Sequence, residues 1–123
     1  MANRPAPESL LPLKPVEAIV LTMLAAGERH GYGIRQDVLA HTGGQIALEA
    51  GNLYRTIRRL EHDQLVDESS RRGNDTDDER RRYYRLTPAG RQRLGAELQR
   101  FNQALHRARD LGISLNGAAL WLA

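Results

Sequence analysis

The residues best equipped for chemistry lie between Asn52 and His62. Taking about 100° per residue, Leu53, Ile57 and Leu60 fall within roughly 40° of one direction. Tyr54, Arg55, Arg58, Arg59 and His62 fall on the opposite arc, with Asn52 at its edge. Arginine carries a flat donor fork that matches phosphate oxygens and the edge of guanine. A helix that packs on one side and offers arginines and a tyrosine on the other is therefore suited to nucleic acid. A solvated surface helix would mix its signs, yet Glu61 is the one acid after Asn52 in this segment. Arg55 and Arg58 point most directly away from the apolar face and are the candidates to read bases. Asn52, read as an N-cap, would place the positive end of the helix dipole and a free N–H near a phosphate.

A second basic group, Arg80, Arg81 and Arg82, stands at the start of a strand-like segment, where it could reach a flanking phosphate or a minor groove. The alternative is that these arginines pair with Asp75 to Glu79 across the preceding loop. Of the 18 basic residues in the chain, all but Lys14 are arginine. Codon bias in a GC-rich genome would produce the same excess, so the placement of the arginines carries the argument.

Other chemistries lack their parts. The chain has no cysteine, which removes disulfides, thiolate zinc sites and cysteine nucleophiles together. His30, His41, His62 and His106 are scattered without metal-ligand spacing. Ser9, Ser69, Ser70 and Ser114 sit in no nucleophile motif, and no glycine-rich phosphate loop follows a strand. No enzyme, no metal and no cofactor is expected. With 123 residues, 41% of them hydrophobic and 27% charged, one globular domain is expected. No apolar stretch approaches the roughly 20 residues that span a bilayer, so no membrane partner is expected and the cytoplasm is the default.

The elements that must position the arginines follow from periodicity. Residues 1–12, with three prolines, read as a flexible arm. A first helix begins at Pro15 and turns Val16, Ile19, Val20, Met23 and Leu24 inward, ending at Gly27. His30 in the link is expected to make a structural hydrogen bond. A second helix follows Gly31-Tyr32-Gly33, with Ile34, Val38 and Leu39 inward and Tyr32 in the core or fixing the backbone. Thr42-Gly43-Gly44 closes it. After the arginine-bearing third helix, Gln64–Ser69 and Arg81–Leu86 read as two strands around a polar tract with an acidic middle. Tyr83 and Tyr84 point to opposite faces of the second strand. Three short helices and a hairpin make a winged helix-turn-helix, here spanning 13–86.

Thr87-Pro88 then opens a long helix over 87–111. Leu94, Leu98, Phe101, Leu105 and Ala108 recur at heptad spacing, the pattern of a dimer seam, with packing onto the helix's own domain as the alternative. Residues 112–123 form an apolar tail carrying Trp121. The tail could cover that seam or dock near Leu10 and Leu11 of the arm. The fold class expected is mainly α with a small β-hairpin: a winged helix-turn-helix plus a long C-terminal dimerisation helix.

His30-Gly31-Tyr32, Asn52-Leu53-Tyr54, Arg58-Arg59-Leu60-Glu61, Gln64-Leu65-Val66 and the run from Arg81 to Gly90 resemble, in this order and spacing, the PadR family of bacterial transcriptional regulators. The resemblance covers about Leu13 to Leu111 and is to the family's small subgroup with one C-terminal helix. It implies a homodimer on double-stranded DNA, a repressor relieved by a small-molecule effector. It maps DNA contacts onto Asn52, Tyr54, Arg55, Arg58 and Arg59, and an apolar effector site onto Leu98 and Phe101, to which the tail could add Trp121. Proline is frequent in the family where Ala50 and Arg55 stand here, and the acidic middle of the wing tract is unlike a tip that touches phosphate. A winged-helix interaction module without specific DNA binding is the alternative function. A nucleoid or RNA binder acting through charge alone is a second.

Overall fold

The computed structural model describes residues 12–72 and 82–114, apart from the side chains of 70–72. Seven elements follow in chain order: α1 (Pro15–Ala25), β1 (Arg29–His30), α2 (Gly31–His41), α3 (Ala50–His62), β2 (Val66–Arg72), β3 (Arg82–Leu86) and α4 (Pro88–Asp110). The expected arm and tail fall outside the described residues except for Pro12 and Gly112 to Ser114. Trp121, Arg80 and Arg81 lie outside them as well.

Local chemistry accounts for the helix boundaries. Pro15 occupies the first position of α1, where its missing N–H costs nothing, and the Lys14 amide donates to Glu17 Oε1 at 2.8 Å. His30 caps α2, its Nδ1 accepting from the Gly33 amide at 3.0 Å, as a structural hydrogen-bonder should. Gly43 and Gly44 close α2 with φ of 62° and 82°, a region open to glycine at no steric cost. At the end of α3, Gln64 takes φ 65°, and the next amide, of Leu65, returns to Leu60 O at 2.9 Å. That left-handed turn is why β2 starts at Val66 and not at Gln64 as the strand pattern suggested. Thr87 caps α4, accepting from the Gly90 amide at 2.9 Å while donating to Gln64 O.

The sheet has three strands rather than the expected two, in the order β1-β3-β2 and antiparallel throughout. The two-residue β1 pairs Arg29 with Tyr84 and His30 with Tyr83, and is too short to leave a period of its own in the sequence. β2 pairs with β3 from Val66 against Leu86 to Arg72 against Arg82, with an irregularity between Glu68 and Arg72. Tyr84 is buried and Tyr83 half-buried, as their opposite faces require.

The core gathers Val20, Leu21 and Leu24 of α1, Ile34 and Val38 of α2, Leu53, Ile57 and Leu60 of α3, Leu65 and Val66, Tyr84, and Leu94 of α4. Four expectations change. In α1 the buried set is Glu17, Ala18, Val20, Leu21, Met23 and Leu24, while Val16 and Ile19 are half-buried, because α1 is packed by α2, α3, β3 and α4 at once. Leu39 is exposed, and so is Tyr32 at 60%, its hydroxyl accepting from Gln36 Nε2 at 2.7 Å. Leu94 belongs to the core of its own domain and not to a dimer seam, because the first turns of α4 lie directly on the sheet and α1. Gly90 makes that approach possible: a Cβ there would stand 2.1 Å from Leu65 O.

Candidate nucleic-acid interface

The third helix is built to present one face. Leu53, Ile57 and Leu60 are its buried residues, seated in the core by α2 and β2. It begins two residues before Asn52: Glu49 is the N-cap, and the Leu53 amide donates to Glu49 O. Asn52 is therefore inside the first turn and not at the cap. Its exposed Oδ1 instead accepts from Arg55 Nη2, one turn on, so the two side chains form a joined polar pair at the N-terminal end of the helix.

The arginines differ in their surroundings. Arg55 and Arg58 are exposed, and Arg58 makes no hydrogen bond or ion pair among the described residues. Arg59 is held: its Nε lies 3.2 Å from Oε2 of Glu17, a buried carboxylate, while the Arg59 side chain remains 55% exposed. Tyr54 departs further from the expected outward arc. It is half-buried against the core, and its hydroxyl lies so close to the start of α2 that a Cβ on Gly31 would meet it at 2.7 Å. The tyrosine thus fixes α3 against α2, and Gly31 is the residue that leaves room for it.

The wing contributes Arg82, which is exposed and 3.8 Å from Glu68 Oε2 on the neighbouring strand. Arg85 pairs with Asp67 at 2.8 Å on the same pair of strands. These surface pairs set Arg82 and Arg85 against carboxylates of β2, whereas Arg58 on α3 has no such partner among the described residues. Glu61, at the inner end of α3, has its carboxyl pushed above the ordinary range by burial first and then by the charge of Glu68. Arg82 and Arg58 oppose that shift, and Asp67 adds to it. Burial likewise raises the Tyr84 hydroxyl, with Glu61 next in effect.

Sequence reasoning did not find Glu17 or Glu97. Both read as ordinary helix-surface carboxylates, although a glutamate three residues past Lys14, with Pro15 between, is itself a capping signal for Glu17. The His30–Tyr32–Tyr83 contacts were also missed: the His30 ring stacks on Tyr32 and meets the Tyr83 ring edge-on at 5.3 Å. Among the described residues, no group of three His, Cys, Asp or Glu could hold a metal ion, and no helix is long and apolar enough to cross a membrane.

Three helices, a small antiparallel sheet and an exposed arginine face on the third helix define a winged-helix protein, extended here by a long fourth helix. The family follows from residues 20–96, which match the model of the transcriptional regulator PadR-like family, and the chain belongs to that family. Solved structures agree on the fold. A transcriptional regulator from Clostridium thermocellum is 25% identical with a TM-score of 0.66, over 77% of this chain and 87% of that one. A PadR family transcription regulator from Clostridium difficile R20291 is 19% identical with a TM-score of 0.66, over 80% of this chain and 98% of its own. PadR from Bacillus subtilis, solved in complex with operator DNA, is 22% identical with a TM-score of 0.59 and is covered over 48% of its length by 71% of this chain.

Proposed function

We propose that this chain is a cytoplasmic homodimeric repressor that binds double-stranded DNA in a sequence-specific way and is released by a small-molecule effector. The observation that carries the reading is the face of α3, where Arg55 and Arg58 stand exposed opposite the buried Leu53, Ile57 and Leu60. Each subunit inserts α3 into a major groove. Asn52 steadies Arg55, Arg58 is free to reach a base edge, and Arg59, Tyr54 and Arg80 to Arg82 serve the backbone and the positioning of the helix. Twofold symmetry then calls for a pseudo-palindromic operator with half-sites about one helical turn, or a multiple of it, apart. The operator complex of the Bacillus subtilis relative supports this use of the fold.

Dimerisation is supported by the far part of α4. Leu98, Phe101 and Leu105 are 47%, 40% and 40% exposed, an apolar stripe that a second copy of the helix would cover. An effector that enters between the C-terminal helices beside Leu98 and Phe101 would change the distance between the two copies of α3. The test of the reading is Arg58→Ala, measured on DNA from upstream of the gene and on a scrambled duplex. A loss of about 1–3 kcal/mol on the upstream DNA alone is the expected result. An equal loss on both duplexes would move Arg58 to a phosphate. No loss on either would contradict the assignment of α3.

A further inference from the structure

Two carboxylates are nearly closed off from water among the described residues, Glu17 at 5% and Glu97 at 4% exposure. A buried carboxylate is costly unless it is bonded, so what these two hold is informative. Glu97, on α4, accepts from the backbone amide of Leu13 at 3.2 Å and from Arg100 Nη1 at 2.6 Å. One residue along, the Lys14 amide donates to Glu17 Oε1, and the other oxygen of Glu17 lies against Arg59 Nε. The two successive amides at the entry of α1 are therefore each held by a buried carboxylate, one on α4 and the other the carboxylate that pairs with Arg59 of α3. Pro15 fixes the next φ angle, which stiffens the joint. Capping α1 requires Glu17 alone. The contact from Glu97, on a distant helix, adds nothing to the cap and ties it to α4.

We propose that Glu17 and Glu97 are positioning residues that transmit the setting of α4 to Arg59 of the recognition helix, so that DNA affinity follows the orientation of the long helix. When α4 turns, Glu97 carries the Leu13 amide with it. Lys14 shifts against Glu17, and the guanidinium of Arg59 loses its fixed direction. The idea rests on the reading of α3 as the DNA-binding helix, but the chain of contacts exists without DNA.

A double-mutant cycle with Glu97→Gln and Arg59→Ala, read by fluorescence anisotropy on the upstream DNA, tests the coupling. Glu97→Gln, remote from the arginine face, is expected to weaken binding about threefold or more in the parent and to have almost no effect once Arg59 is alanine. The same loss in both backgrounds, or none in the parent, would overturn the proposal. A nuclear magnetic resonance spectrum of the DNA-free protein gives a second readout, which a purely stabilising role would leave unmoved. The Arg59 Nε–H signal should be resolved in the parent and displaced by Glu97→Gln, and an unmoved signal would overturn the coupling. If the parent binds neither duplex, the reading of α3 fails and this signal alone decides the coupling. Arg100→Gln, which removes the guanidinium that pairs with Glu97, serves in the same tests if Glu97→Gln does not fold.

Discussion

Arg58 and Arg59 are neighbours in the chain, yet their surroundings divide their roles. Arg59 faces a buried carboxylate, while Arg58 makes no hydrogen bond or ion pair among the described residues, which is why the proposed base contact falls to Arg58. Their neighbour Glu61 is the opposite case, a carboxylate placed where its charge is unwelcome. Burial and the Glu68 charge raise its pKa above 4.5, so the folded state holds this proton more tightly than the unfolded chain does. Its contribution to stability is accordingly lost as pH rises from about 4.5 through the higher folded value. Glu61→Gln removes that loss. Thermal melts should give a higher Tm than the parent at pH 7, with the gain fading toward pH 4, where the parent carboxyl is protonated in both states. A gain that persists unchanged at pH 4 would show that the charge of Glu61 is not its cause.

At the scale of elements, α4 has two characters along one stripe. Its first turns are locked to the domain by Leu94, Glu97 and the close approach at Gly90, and its later turns leave Leu98, Phe101 and Leu105 open. Leu98→Asp should place a charge in the middle of the proposed seam and shift the molecular mass by light scattering from dimer to monomer, with the monomer still folded because Leu98 is outside the core of the single chain. An unchanged mass would remove α4 from the interface. The heptad spacing is readable in the sequence, but the switch from buried to exposed between Leu94 and Leu98 is not, because it depends on which turns of the helix lie on the rest of the domain. The same limit applies elsewhere. Proline and threonine signals place the start of α4, glycines place the end of α2, and the wheel of α3 finds its buried face. Each of these is local chemistry. The pairing of β1 with β3, the tyrosine of α3 turned onto Gly31 and the two buried glutamates depend on contacts distant in the chain, which no short window contains.

The whole molecule belongs to the PadR-like family of transcriptional regulators, and on the proposed reading its core serves to present a few guanidinium groups of α3. The formal net charge of +3 is modest, so charge alone would give weak binding that collapses with added salt. In the proposed function, specificity comes from α3 and from the spacing that a dimer would impose on its two copies. Affinity would then respond to anything that moves the C-terminal helices, through the change in spacing and, within each subunit, through the clamp at Leu13 and Lys14. The most direct test is fluorescence anisotropy of the pure protein on DNA from upstream of its own gene and on a scrambled duplex of the same length, across a salt series. A sequence-specific regulator should prefer the upstream DNA, and the preference should survive near-physiological salt while binding to the scrambled duplex falls away. Equal and steeply salt-dependent binding to both, or no binding to either at micromolar protein, would contradict it.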